Sequence, residues 1–324
     1  MILPWLLGFQ SLIRAPVVWS LFFANLAFYG FTSSSYKSGD ASIEELIADS
    51  EFLSTQSLVF SQFVERHPAE YSPLINRISE KSKRGSLLAR RVLSGLALRD
   101  LKFISSGLKI EYSGDAIAID RWKKKFTDLC RLQKNHPLQE YGIGVGSTVM
   151  WKFFTYQFVH GGSFHIIINM FFLLIFGGFV EAVFGHLCFL AVYLLGGVVA
   201  ALSFMFATGL SMAPLIGASG AINALVGFCA VFFLGKRMQF LYFLLPSYKY
   251  YGKTDLPFWI FLLLWVFADV GSAITSVPEL GGVAYTAHLG GVGFGVLTGL
   301  LLLFWSKSTS HRIFRDASGL HELK

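Results

Sequence analysis

The sequence predicts an all-α membrane protein: a bundle of six transmembrane helices with a mainly helical extracytoplasmic insertion between helices one and two. Two observations carry this. Of 324 residues, 54% are hydrophobic and only 15% charged, and the mean hydropathy is +0.56, well outside the range of an ordinary soluble domain. The apolar residues are also gathered into blocks, whereas residues 34–146 hold most of the Lys, Arg, Asp and Glu.

Crossing the ~30 Å hydrocarbon core takes about 20 apolar residues. Suitable blocks lie near 16–33, 163–184, 187–209, 214–234, 257–277 and 284–306. The first is preceded by Arg14 and has no clear small-residue cleavage site, so it reads as a retained helix rather than a signal peptide. Connections among the last five are short, which makes those helices neighbours. Gly291, Gly295 and Gly299 recur every fourth residue in the sixth block, and Gly220, Ala224 and Gly227 line a face of the fourth. No hydrophobic force joins helices in lipid, so small residues that let backbones approach mark the contact. Helices four and six are the expected close pair.

Basic residues beside short loops set the orientation. Arg14 precedes the first span, Lys236, Arg237, Lys249 and Lys253 lie between the fourth and fifth, and Lys307, Arg312 and Arg315 follow the sixth. Under a six-span count these share one side, which places both termini in the cytoplasm. The segment between the first two spans then lies outside despite its own Lys and Arg, since long segments translocate largely regardless of charge. Within it, residues 41–55, 84–98 and 119–132 have apolar side chains at helical spacing. The net charge of +7 is thus explained by topology, and no nucleic-acid partner is expected. Cys130, Cys188 and Cys229 show neither paired nor metal-like spacing, so no disulfide framework, metal or cofactor is expected.

Polar residues inside membrane spans are unfavourable unless they serve a purpose. Helix two opens with His160 and His165, followed by Asn169 one turn later; helix four opens with Gly217-Ala218-Ser219-Gly220 and helix six with Thr286-Ala287-His288. With the termini inside, all three helices run inward from the outer surface. His165, Ser219 and His288 therefore share one depth, within one or two turns of their helix starts. A serine becomes a nucleophile when a base takes its proton, and histidine is the usual base. No Asp or Glu adjoins His288 in sequence, which favours a dyad over a triad. The oxyanion formed by attack on a carbonyl needs donors. The Ser219 amide, His165 and Asn169 are candidates, and Gly217 and Gly220 permit a tight turn beside the nucleophile.

These residues resemble the motifs of the rhomboid family of intramembrane serine proteases. His165 and Asn169 resemble its HxxxN, Gly217-Ala218-Ser219-Gly220 its GxSG, and Ala287-His288 with Gly291 and Gly295 its AHxxGxxxG. The likeness covers about Trp151 to Trp305 plus the first helix. It implies Ser219 as nucleophile, His288 as general base and then acid, and His165, Asn169 and the Ser219 amide as oxyanion donors. It suggests structural hydrogen bonding for His160 and Glu181. The implied activity is endopeptidase cleavage of single-pass transmembrane substrates near the outer membrane boundary. The chain then divides into residues 1–33 (N-terminus and first helix), 34–150 (insertion), 151–306 (catalytic core) and 307–324 (cytoplasmic tail).

The sequence departs from the family pattern in two places. Trp151-Lys152 stands where many members carry Trp-Arg, and Asn223 stands where some have an aromatic residue against the histidine. The insertion matches no family motif; recruitment of substrate or a partner, and a plain insertion with its own core, are both open readings. Asp269 is another charge within a span, and His67, His136, His186, His311 and His321 are expected in solvated loops or tails. Two rivals stand beside the protease. A catalytically dead chaperone of the same fold is disfavoured by the presence of both Ser219 and His288, and a transporter by the lack of paired helix interruptions. With no Arg-rich transit segment, a bacterial inner membrane is the expected location.

Overall fold

The computed structural model describes residues 2–4, 15–98, 100–144, 149–208, 214–243, 251–275 and 285–309. Helix α1 (Pro16–Ala48) begins at a proline, whose fixed φ suits a first helical turn. Its N-cap, Ala15, offers no side chain to the free amides. Glu181 does so from far along the chain, accepting from Val17 N at 2.9 Å and Val18 N at 2.7 Å. A carboxylate there satisfies orphan N–H groups and meets the positive end of the helix dipole. His186 Nδ1 lies 2.5 Å from the same carboxylate, so this histidine is engaged rather than merely solvated.

Helix α1 runs 33 residues, beyond the expected 16–33 block, and carries the chain out of the apolar region in one piece. Asp49 breaks it and caps α2 (Ser50–Arg66), accepting from Glu51 N and Phe52 N. The expected helical stretch 41–55 is thus two helices. Helices α3 (Pro73–Lys83), α4 (Leu87–Ala97), α5 (Leu101–Ser106) and α6 (Ala116–Lys134) follow, then the short α7 (Pro137–Tyr141). Their apolar faces meet in a core of Phe52, Phe60, Phe63, Leu93, Phe103, Trp122, Phe126 and Leu129. Buried Gln56 ties three of them together, accepting from Trp122 Nε1 at 2.9 Å and donating to Ser94 O at 2.9 Å. His136 is 6% exposed and caps α7 through Leu138 N, so it too departs from the solvated expectation.

The rest of the chain is built from α8 (Lys152–Thr155), α9 (Ser163–Phe184, with a π-turn at Leu173–Gly177), α10 (His186–Thr208), α11 (Ser219–Phe233), α12 (Phe258–Thr275) and α13 (Tyr285–Thr309). Among the described residues, Ser163–Phe184, His186–Ala207 and Tyr285–Trp305 are long and apolar enough to cross a membrane, and Ser219–Phe233 and Phe258–Phe267 are shorter apolar helices. The protein is an integral membrane protein, mostly helical. The block expected over 214–234 becomes helical only at Ser219, because Leu215 pairs instead with Ile143, exchanging backbone bonds of 2.8 and 3.0 Å. The helical expectation also missed a small antiparallel sheet, β1 (Ile2–Pro4), β2 (Arg237–Phe243) and β3 (Tyr251–Pro257), with Ile2 opposite Tyr242 and Met238 opposite Leu256. Lys236, Arg237 and Lys253 lie on or beside this hairpin, whereas Arg14, Lys249, Arg312 and Arg315 fall outside the described residues, as do the side chains of Lys307 and Asp269.

Helices α11 and α13 are the close pair. A Cβ added to Gly295 would fall on Ala224 O, one on Gly291 on Gly220 O, and one on Gly227 on Val292 O. Backbone meets backbone, which only glycine permits. Gly295→Leu is expected to force α11 and α13 apart and destabilise the fold by about 1–3 kcal/mol or more. Thermal unfolding in detergent checks this, with Gly293→Ala, where the added methyl meets open space, leaving the midpoint unchanged.

Lys125 donates to the Asp49 carboxylate and, with the backbone N–H of Phe52, holds its pKa below the ordinary 3.8. Because the folded value is depressed, this stabilisation is fully present above the unfolded pKa and disappears as pH falls through the folded one. Asp49→Ala should therefore lower the unfolding midpoint at neutral pH, by about 1 kcal/mol for the lost cap, and the difference from wild type should shrink once both are measured below pH 3.8.

Candidate active site

Ser219 sits at the first position of α11, so its position depends on the turn that delivers the chain to that helix. Gly217 holds φ +100, a left-handed conformation that L side chains rarely adopt. Its amide donates to Tyr156 O at 2.9 Å. Tyr156, fully buried, sends its hydroxyl to Gly197 O on α10 at 2.6 Å. The turn before Ser219 is thereby tied through one tyrosine to a neighbouring helix. Gly220, next in line, lies where a Cβ would press 2.6 Å from Ala200 Cβ and 3.2 Å from the Tyr156 hydroxyl.

His288, on the first turn of α13, reaches Ser219: its Nε2 lies 2.9 Å from Ser219 Oγ. That is a hydrogen bond by length, with both side chains partly exposed. The Tyr285 ring stands edge-on to the His288 imidazole, centroids 6.3 Å apart at 89°.

On the other side of the turn stand His165 and Asn169 of α9. A Cβ on Gly217 would lie 2.8 Å from His165 Nε2 and 3.4 Å from Asn169 Nδ2, so the absence of a side chain at 217 brings both heads against the backbone carrying Ser219. His165 Nδ1 accepts from Gly161 N at 3.4 Å. In a neutral ring that leaves the proton on Nε2, the atom nearer Gly217. Asn169 is 5% exposed, and among the described residues its Nδ2 has no hydrogen-bond partner. A buried amide donor left unmatched is unfavourable in a resting structure and useful where negative charge develops. His160, 2% exposed, packs its ring edge-on to His165 at 5.1 Å, a supporting contact. All the residues singled out by the sequence, Ser219, His288, His165, Asn169 and Gly217, thus come to one place.

Two features of this region, Tyr156 and the Asn223–Trp265 bridge, were not anticipated, and a third, Lys152, takes the loop position at which an anchor is expected. Tyr156 had no signal beyond being an aromatic before a span. Trp265 of α12 donates its Nε1 to Asn223 Oδ1 at 2.8 Å, while Asn223 Nδ2 donates to Ser219 O at 2.9 Å. Asn223 therefore bridges α12 to the backbone of Ser219. Lys152 donates to Gln139 O at 2.8 Å and lies over the Trp151 ring, so the Trp-Lys pair anchors the loop before α9 to α7. Asn223→Ala would leave the Trp265 N–H unmatched in the bundle, and a loss of about 1–3 kcal/mol in unfolding free energy is expected, read from the thermal midpoint in detergent.

Residues 147–305 match the family model described as the Rhomboid domain. The chain is 27% identical over 154 residues to "Rhomboid protease GlpG" of Haemophilus influenzae, an alignment covering 47% of this chain and 69% of that protein. It is 29% identical over 168 residues to "RHOMBOID-like protein 6, mitochondrial" of Arabidopsis thaliana, covering 52% of this chain and 48% of the relative. The matched domain spans the helices that bring Ser219 against His288, and the chain belongs to the rhomboid family of intramembrane serine proteases.

Proposed function

We propose that this protein cleaves single-pass transmembrane substrates just below the outer membrane boundary, using Ser219 as nucleophile and His288 as the proton carrier. The observation that carries this reading is the 2.9 Å contact between Ser219 Oγ and His288 Nε2. His288 accepts the hydroxyl proton as Ser219 attacks the scissile carbonyl, then passes it to the leaving amine. The oxyanion falls to the Ser219 amide, His165 Nε2 and Asn169 Nδ2, supported by the unmatched amide of Asn169 and the bare backbone of Gly217. Water then attacks the acyl-enzyme, with His288 as base. A substrate helix keeps its carbonyls in internal hydrogen bonds and must unwind locally first, so small or helix-breaking residues near the cut are expected.

The arrangement in the membrane belongs to the same proposal: six transmembrane helices, both termini cytoplasmic, residues 34–150 outside, residues 151–306 as the catalytic core, and a bacterial inner membrane as the location. The bilayer and the substrate are the partners; no nucleic acid, cofactor or metal takes part.

Purified protein in lipid, incubated with a model transmembrane substrate and a fluorophosphonate probe, tests the mechanism. Ser219→Ala should lose labelling and drop cleavage below about a thousandth, and His288→Ala should behave alike. Asn169→Ala should keep the fold and lower kcat by about 10²–10³ with little change in KM. Cleavage that survives Ser219→Ala removes the serine mechanism.

A further inference from the structure

Residues 50–134 hold a feature that peptide-bond cleavage does not use. A cavity of ≈ 550 Å³ opens between α2, the end of α3, the start of α4 and the start of α6. Its size is that of a ligand site, about 300–1,000 Å³. The lining is rich in hydroxyls, among them Ser57, Ser61 and Ser82. Ser61 is completely buried, and among the described residues its Oγ has no hydrogen-bond partner. Arg90 lines the cavity with only its Nε engaged, at 3.4 Å to Ser82 O, and forms no ion pair among the described residues. Asp115 supplies an opposite charge from the start of α6.

Around these polar groups stand apolar side chains with unusual exposure. Leu58 lines the cavity and is 40% exposed; Leu87, one helical turn before Arg90 on the same face of α4, is 73% exposed. Hydroxyls that donate or accept as required, a guanidinium with only its Nε engaged and an apolar rim suit a polypeptide better than an inorganic anion, which has no use for the rim.

The fold sets the cavity at a distance from the bilayer. Tyr29 of α1 meets Ser163, the first residue of α9, at 3.0 Å, which marks the level at which the active site opens. From Tyr29 to Ala48 the helix climbs about 29 Å at 1.5 Å per residue. Helix α6 descends beside it, with Lys125 on Asp49 and, past α6, Tyr141 on Phe28. Helix α2 runs antiparallel to α6: Glu51 pairs with Arg121, and farther along Gln62 bonds Ser113. Ser57, Ser61 and Asp115 thus lie farther from the membrane than Asp49, and a lipid headgroup cannot reach them.

We propose that this cavity docks an extended segment of the substrate itself, on the same side of the membrane as the active site and at least about nine residues beyond the transmembrane helix at 3.3–3.6 Å per residue. Apolar side chains of the segment meet Leu58 and Leu87, an acidic one meets Arg90, and its backbone bonds the hydroxyls. The proposal rests on the cleavage reading above for the identity of the occupant.

The test uses the full-length Ser219→Ala protein in lipid nanodiscs and a library of model substrates. Each carries one transmembrane helix and a Gly/Ser outer segment with a randomised stretch placed either at the membrane or about twelve residues out, beyond the minimum reach. Captured sequences are expected to be enriched about tenfold in Leu or Ile with Asp or Glu at the distal placement only. Arg90→Glu should exchange the acidic preference for Lys or Arg, an outcome that misfolding cannot imitate. Ala118→Trp should fill the cavity and abolish enrichment. No distal enrichment, or a preference unchanged in Arg90→Glu, overturns the proposal. Capture with the expected preference but no cleavage by the wild-type protein would instead sink the protease reading and leave a docking site standing.

Discussion

The contact between the backbones of α11 and α13 is the constraint on which the rest of the site depends. Gly291 against Gly220 O and Gly295 against Ala224 O allow the two helices to touch without intervening side chains. Ser219 and His288 each stand on the first turn of one of these helices, so the separation of the helix axes sets the separation of hydroxyl and imidazole. In a bilayer no hydrophobic force presses the helices together, and the attraction comes from close packing itself. A methyl group at the interface would weaken the fold and lengthen the 2.9 Å contact by the same displacement.

Around that pair, the remaining elements act as positioners. Tyr156 holds the turn of Gly217 against α10, Asn223 links the carbonyl of Ser219 to Trp265 on α12, and α9 presents His165 and Asn169 from the opposite side. Such buried hydrogen bonds are strong where water is scarce and unfavourable when half-made, so each restricts its helix to one arrangement. Glu181 plays a comparable part at the other end of α9, where it caps α1 and fixes the start of the longest helix. That helix in turn carries the polar segment, with its own aromatic core, above the bundle.

Much of the site was legible in the sequence because its chemistry and spacing are local. HxxxN places His165 and Asn169 on one helical face, a glycine two residues before Ser219 marks a tight turn, and His288 stands near the start of the last apolar block. The fold was legible in its membrane character and in the pairing of the fourth and sixth blocks. It was less so wherever a contact joins distant positions. Glu181 and Val17 are separated by 164 residues and Trp265 and Asn223 by 42, and no periodicity relates them. The β-hairpin at Arg237–Pro257 was not legible because its two short runs carry no sustained apolar alternation.

Composition, block length and motif chemistry by themselves determined that the chain belongs in a membrane and pointed to the polar residues that the fold brings together. Only the tertiary structure decided whether those groups meet, which partner each buried polar atom finds, and that a hydroxyl-lined cavity forms among α2, α3, α4 and α6. The physical reason is one of range: side-chain period and hydropathy act over a helical turn or a span, whereas hydrogen-bond partners and cavities are fixed by helices that pack together from far apart in the chain.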